Sequence, residues 1–277
     1  MPDHAANWPT THVKSGWILA LLGIAATTAA AVYLLNRLLG APVTETNPHH
    51  ALRVMTWNIG KLYIRGDSRA ADSDLRYIAA VIRSQNPHVV ALQEIRDEAQ
   101  LAQLVAALGP GWRGRVPEDR WDRRAALVVR LHAHFHPIAT STGRTVQAAV
   151  IELPEGAAFA VVSVHLDAFD AKRRLVQAEE IVAGAQRLAA DDVLIAGDFN
   201  IDPSVAARGS IDQDLYRFMT RHFVDSGVHA GATTFVHWRL DYVFYRSPRV
   251  KKASARVLRD RRINIMDHDP LVVELGF

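Results

Sequence analysis

The segment VLIAGDFN, Val193 to Asn200, constrains the fold more than any other. Four consecutive apolar residues read as a strand buried on both faces, and Gly197 lets the backbone turn where that strand ends. Asp198 and Asn200 follow at a spacing of two, so they project toward the same side. One anionic acceptor and one neutral donor over a common point suit a site that orients a water and holds a phosphoryl oxygen. The same two residue types after a strand also make turns or helix caps.

The flanking sequence alternates strand-like runs with helical patterns. Strands are expected at 53–58 and 89–93 and helices at 74–83 and 100–108, punctuated by Pro87 and the Gly109, Pro110, Gly111 cluster. Consecutive strands are expected at 125–130, 146–153 and 158–165, a helix at 171–190 before the central strand, and a shorter helix at 213–221. Interleaving of this kind predicts an α/β (α+β) chain with two packed mixed sheets covered by helices, rather than a doubly wound parallel sheet.

The N-terminus is different in character. Trp17 to Leu35 carries no formal charge, is flanked by Lys14 and Arg37, and has the length of a membrane-crossing helix. Trp17 and Tyr33 sit near its ends, where interfacial aromatics concentrate. The expected organisation is a tail at 1–16, one transmembrane anchor at 17–39, a linker at 40–50 containing two prolines, and a catalytic domain at 51–277. A cleaved signal peptide, with Ala29 to Ala31 as the cleavage region, is the competing reading. A single-pass protein with its domain on the non-cytoplasmic side is expected, although Lys14 and Arg37 balance and the positive-inside rule decides little.

Short motifs recur along the rest of the chain in a fixed order. RVMTWNIG ends a strand at Asn58, HVVALQEI ends in Gln93 and Glu94, and AVVSVHLD carries His165. After the central run come RLDYVFYR, opened by Asp241, and MDHDPLVVEL, with Asp267 and His268 before the last strand. From Arg53 to Phe277 this set resembles the endonuclease/exonuclease/phosphatase superfamily of metal-dependent phosphodiesterases and phosphatases. The resemblance implies a four-layer αββα sandwich.

A carboxylate such as Glu94 at the end of an apolar strand is costly to bury without a partner. A hard divalent cation, Mg²⁺ or Mn²⁺, resolves that cost with oxygen ligands, and a salt bridge to an arginine is the other solution. The resemblance assigns Glu94 as a metal ligand, with Asn58 beside it and Asp267 as a further acidic ligand or support. It makes Asp241 the acceptor that fixes the tautomer of His268, an imidazole able to contact phosphoryl oxygens or exchange a proton near neutral pH. Asp198 would orient or deprotonate the attacking water, and Asn200 would help hold the nucleophile or the phosphate. His165 in SVHLD resembles the deoxyribonuclease-like, sphingomyelinase-like and inositol-phosphatase-like branches rather than abasic-site repair nucleases. Arg173, Arg174 and Gln177 follow on the next helix, within reach of a phosphate or on a solvated face. Arg124 stands where relatives often carry a glycine-containing segment.

Composition narrows the chemistry further. The chain has no cysteine, which excludes disulfides, thiolate metal sites and a cysteine nucleophile. A net charge of +3, with 27 arginines against 5 lysines, favours a phosphate-bearing partner but is too small to imply nucleic acid. The partner expected is thus a phosphate ester, nucleic acid or phospholipid and inositol phosphate, with no obligate protein partner. A phosphatase, or a binding protein that keeps the fold without turnover, is the alternative to a phosphodiesterase. A glycosidase with paired carboxylates would need neither the asparagines nor the two histidines.

Overall fold

The computed structural model describes residues 51–60, 68–119, 123–259 and 268–277. The expected anchor at 17–39 and linker at 40–50 lie outside the described residues, as does Asp267. Among the described residues no helix is long and apolar enough to cross a membrane.

Twelve strands and four helices make up the described fold. The strands are β1 (Ala51–Asn58), β2 (Val89–Ile95), β3 (Arg113–Arg115), β4 (Arg124–Val129), β5 (His132–Ala139), β6 (Thr145–Glu152), β7 (Ala158–His165), β8 (Asp192–Asp198), β9 (Val224–Asp225), β10 (Asp241–Arg246), β11 (Lys252–Val257) and β12 (Leu271–Gly276). The helices are α1 (Ser68–Gln85), α2 (Glu98–Leu108), α3 (Ala171–Gln186) and α4 (Ile211–His222). Capping explains several boundaries. At the starts of α2 and α3, Asp97 accepts the Gln100 N–H and Asp170 accepts those of Lys172 and Arg173. Asn86, with φ 49°, and then Pro87 end α1.

Two packed mixed sheets were expected; the structure has two packed halves of one continuous, curled sheet in the order β11-β12-β1-β2-β4-β6-β7-β8-β10-β9, with β3 on β4 and β5 on β6. The halves are joined by a single parallel pair, Ala125 with Val146. So narrow a hinge lets one half fold over the other, and the apolar residues show that it does. Leu52, Val54, Val89 and Ala91 share one buried cluster with Phe159, Val161, Leu194, Ala196 and Val243 of the other half. Met55, Trp57, Val90 and Leu92 point the opposite way, into a cluster with α1 and α2. Val162, Val193, Ile195 and Phe244 do the same toward α3 and α4.

Strand alternation therefore sorts each run between an inner face and a helix-covered face. The central strand behaves as its sequence predicts, with all seven residues of β8 buried. Gly197 has a different reason than the expected turn, since it lies within β8. A Cβ there would stand 2.0 Å from the Val164 carbonyl oxygen, so only glycine lets β7 and β8 approach this closely.

Candidate functional site

The inner-face parity, continued to the strand ends, builds the site. Along β1 the series Leu52, Val54, Thr56, Asn58 turns from apolar to polar; along β7 Phe159, Val161, Ser163, His165 does the same, and along β8 Leu194, Ala196, Asp198. β1 with β2 and β7 with β8 are parallel pairs, so these polar ends emerge together. β10 runs antiparallel to β8 and opens there, pairing Asp241 with Asp198. Below the mouth, Thr56 Oγ1 donates to Gln93 Oε1 and Gln93 Nε2 to Ser163 Oγ, both at 3.3 Å, which ties the two halves through a polar layer above the apolar core.

Asp198 is the hub. Asn58 Nδ2 donates to its Oδ2 at 3.0 Å, while His268 Nε2 and His165 Nε2 lie 3.6 and 3.7 Å from the same oxygen. Burial is the main cause holding its carboxyl above the ordinary value of 3.8; Asp241 adds to the rise, and His268, His165 and Asn58 oppose it. The other oxygen, Oδ1, accepts the Asn200 N–H at 2.8 Å. Asn200 takes a left-handed φ of 52° and donates through Nδ2 to the Leu166 carbonyl at 3.0 Å, so the turn that ends β8 also clamps the end of β7.

His268 is fixed from several directions. Its Nδ1 lies 2.7 Å from Asp241 Oδ2, its carbonyl accepts the Trp57 indole N–H at 3.2 Å, and its backbone bridges to Thr234. Asp241 is itself held by Thr233, whose Oγ1 accepts the N–H groups of Leu240 and Asp241 at 3.0 and 3.1 Å. Nothing in the sequence singles out Thr233; only the loop conformation brings it beneath Asp241. Behind β8 and β10, Phe199, Tyr242 and Phe244 pack with ring centroids 5.1–5.5 Å apart, each contact worth about 1 kcal/mol beyond burial.

His165 is buried, and burial pushes its imidazole down to about 4 despite the nearby Asp198 charge. It is therefore neutral at neutral pH, and its Nδ1 has no hydrogen-bond partner among the described residues. It opens onto a cleft of about 440 Å³ that Arg123, Arg144, Arg173 and Phe169 also line. Sequence reasoning did not single out Arg123 or Arg144, because arginines in loops carry no periodic signal.

Glu94 sits at a register shift of β2 against β4, with a left-handed φ of 62°. Such a bulge redirects a side chain, and a non-glycine residue there stores strain. Its carboxylate pairs with Arg123 at 3.2 Å, the salt bridge that the sequence left open beside metal ligation. A separate buried acid-histidine group, Asp198, Asp241 and His268, has ligand atoms within 4.8 Å of one another. Asn58 turns its amide nitrogen to Asp198 and its oxygen to the Gly60 N–H at 3.0 Å.

Of the three helix residues, Arg174 is committed to structure. It is buried, bonds Asp212 at 2.7 and 3.1 Å, and reaches the Asp167 carbonyl. Gln177 bridges the Asp167 N–H and Thr142, leaving Arg173 half-exposed at the cleft. Arg124 opens β4 and donates to the Asp119 carbonyl at 3.0 Å.

The sequence model of the Endonuclease/Exonuclease/phosphatase family matches residues 55–264. No curated protein matches this chain in sequence. Among solved structures, an endonuclease/exonuclease/phosphatase from Beutenbergia cavernae DSM 12333 is 21% identical with a TM-score of 0.67, covering 82% of this chain and 72% of that one. Truncated Caenorhabditis elegans TDP2 is 17% identical with a TM-score of 0.64, covering 84% of this chain and 100% of its own. The human Nocturnin catalytic domain, with bound sulfate anion, is 20% identical with a TM-score of 0.62, covering 83% and 94%. At these identities the likeness is one of fold.

Proposed function

This chain belongs to the Endonuclease/Exonuclease/phosphatase family, whose members are metal-dependent phosphoesterases, and from that premise we propose that it hydrolyses a phosphodiester with water. The observation that carries the proposal is the convergence of Asn58, His165 and His268 on one oxygen of Asp198. A carboxylate whose proton affinity is raised by burial is better suited to taking a proton from an attacking water. Asn58 holds that carboxylate in place. Asp241 sets the His268 proton on Nδ1, which leaves Nε2 turned toward Asp198 and the reacting phosphate. His165, neutral, offers a further contact to a phosphoryl oxygen without adding charge.

The residues present fit a hard divalent cation. Asn58 ends β1 opposite Gln93 of the parallel β2, so its side-chain oxygen and the adjacent Glu94 carboxylate stand at neighbouring strand ends as hard oxygen donors. Glu94, Asn58 and Asp267 would hold Mg²⁺ or Mn²⁺ with oxygen donors. Bound there, the ion would withdraw charge from the phosphoryl oxygens and open phosphorus to in-line attack.

Substrate class follows from the cleft beside His165. Arg123, Arg144 and Arg173 line it and, offset in part by Asp167 and Asp170, supply charge for phosphates flanking the scissile one, and Phe169, 96% exposed on the loop after β7, offers a face for base stacking. That combination favours single-stranded nucleic acid over a phospholipid or inositol phosphate.

The test is turnover by the full chain of single-stranded DNA, RNA, sphingomyelin vesicles and inositol phosphates, each with Mg²⁺ and with chelator. Metal-dependent cleavage of DNA or RNA is expected. Preferential turnover of a lipid or a monoester would overturn the substrate assignment, and inactivity on all four would overturn the phosphodiesterase reading.

A further inference from the structure

A cluster of side chains of metal-ligand type lies on the sheet edge, apart from the catalytic residues. The sequence of β5, HAHFHPIA, places His132, His134 and His136 at alternate positions, so all three project from one face. All are exposed, while Ala133 and Phe135 between them pack against the inner core. Ile138 continues the histidine face but is buried beneath α3, where a Cβ on Gly184 would come within 2.6 Å of it. The helix thus covers one end of the β5–β6 surface and leaves the histidine end open.

Register completes the cluster. β5 pairs antiparallel with β6, and His132 stands directly opposite Glu152. Their side chains meet at 3.0 Å between Nδ1 and Oε2, and the His132 and His134 rings contact edge-on at 4.9 Å. One ligand atom from each of His132, His134 and Glu152 lies within 4.8 Å of the other two.

We propose that His132, His134 and Glu152 form a binding site for a borderline transition-metal ion, Zn²⁺ in the first instance. Tetrahedral Zn²⁺ with bonds of about 2.0–2.1 Å sets its ligand atoms about 3.3 Å apart, close to the His132–Glu152 separation and within a side-chain rotation of His134. Two imidazoles and a carboxylate favour Zn²⁺, Ni²⁺ or Cu²⁺ over Mg²⁺, whereas oxygen donors dominate at the catalytic site. His136, at the next outward position, or water completes the shell. Protection of an edge strand would account for polar outward residues. A chain with 27 arginines nevertheless puts three of its 13 histidines, and no arginine or lysine, at those outward positions.

The test is calorimetric titration of the full chain with ZnCl₂ under saturating Mg²⁺, comparing wild type, His134→Asn, Glu152→Gln and His268→Ala. The wild type should bind Zn²⁺ stoichiometrically. His134→Asn and Glu152→Gln should each weaken that binding about ten-fold or more, with circular dichroism and Mg²⁺-supported turnover unchanged. His268→Ala should leave it intact. Binding unaltered by the two edge variants, binding lost in His268→Ala, or no uptake by wild type would each overturn the proposal.

Discussion

His268 Nδ1 lies 2.7 Å from Asp241 Oδ2, and both side chains are buried. The two residues arrive from opposite directions. Asp241 opens β10, while His268 precedes β12 and is held through its backbone by Trp57 and Thr234. With Nδ1 turned to Asp241, His268 Nε2 faces Asp198 at 3.6 Å.

Asp241→Asn keeps a hydrogen-bonding group but can impose the wrong tautomer, so turnover should fall by about 10²- to 10⁴-fold with little change in fold. Adding His268→Ala to Asp241→Asn should cost little more than His268→Ala alone. Losses that add in log rate, measured in a double-mutant cycle, would show that the two side chains act independently.

Glu94→Gln preserves shape and removes charge from a carboxylate on a strained bulge. If Glu94 helps hold the cation, activity should drop steeply and recover in part as Mg²⁺ or Mn²⁺ is raised. A purely structural Glu94–Arg123 pair would give a loss that no metal concentration repairs, visible in a metal titration of the rate.

The depressed His165 pKa has a signed effect on stability. Between the ordinary value of 6.5 and the folded value of about 4, the unfolded chain holds more protons than the native one. Stability therefore rises with pH through that window and is lost as pH falls through it, by about 3 kcal/mol at most. Asp198, raised by burial, runs the other way, contributing stability at low pH that is lost as pH climbs through its folded value. Denaturant melts of wild type and His165→Gln in chelator, from pH 7 to pH 4, should show the acid-side loss reduced in the variant. Parallel curves would mean that His165 titrates normally.

Gly197→Ala should destabilise the domain by more than about 3 kcal/mol or prevent folding, because the new methyl would stand 2.0 Å from the Val164 carbonyl oxygen in the β7–β8 pairing, one position before His165 and Asp198. A denaturant midpoint near wild type would mean that the two strands separate at no cost.

Much of this was legible because strand alternation is a local rule. Leu52, Val54, Thr56, Asn58 and the matching series in β7 and β8 show apolar residues giving way to polar ones on the same face, and that is how Asn58, His165 and Asp198 come together. Asp241 as partner of His268 followed from resemblance, and the two side chains lie 2.7 Å apart. What was hidden depends on long-range contacts. β5 escaped notice because its outward residues are histidines and Pro137, not an amphipathic apolar run. The continuity of the curled sheet rests on one residue pair, which no pattern announces. Arg174 reads equally as a phosphate contact or a solvated helix position, and is neither, because Asp212 of α4 takes it in a buried pair. The bulge at Glu94 is likewise set by β4, a partner distant in sequence.

Asp198→Asn tests the central claim most directly, because it keeps the size and hydrogen-bonding reach of the side chain that Asn58, His165 and His268 surround while removing its ability to take a proton. Turnover of single-stranded DNA by the full chain in Mg²⁺ should fall by about 10²-fold or more, with the far-ultraviolet spectrum and denaturant midpoint of a folded protein retained. A folded Asp198→Asn chain that cleaves at the wild-type rate would contradict the assignment of Asp198 as the residue that activates water.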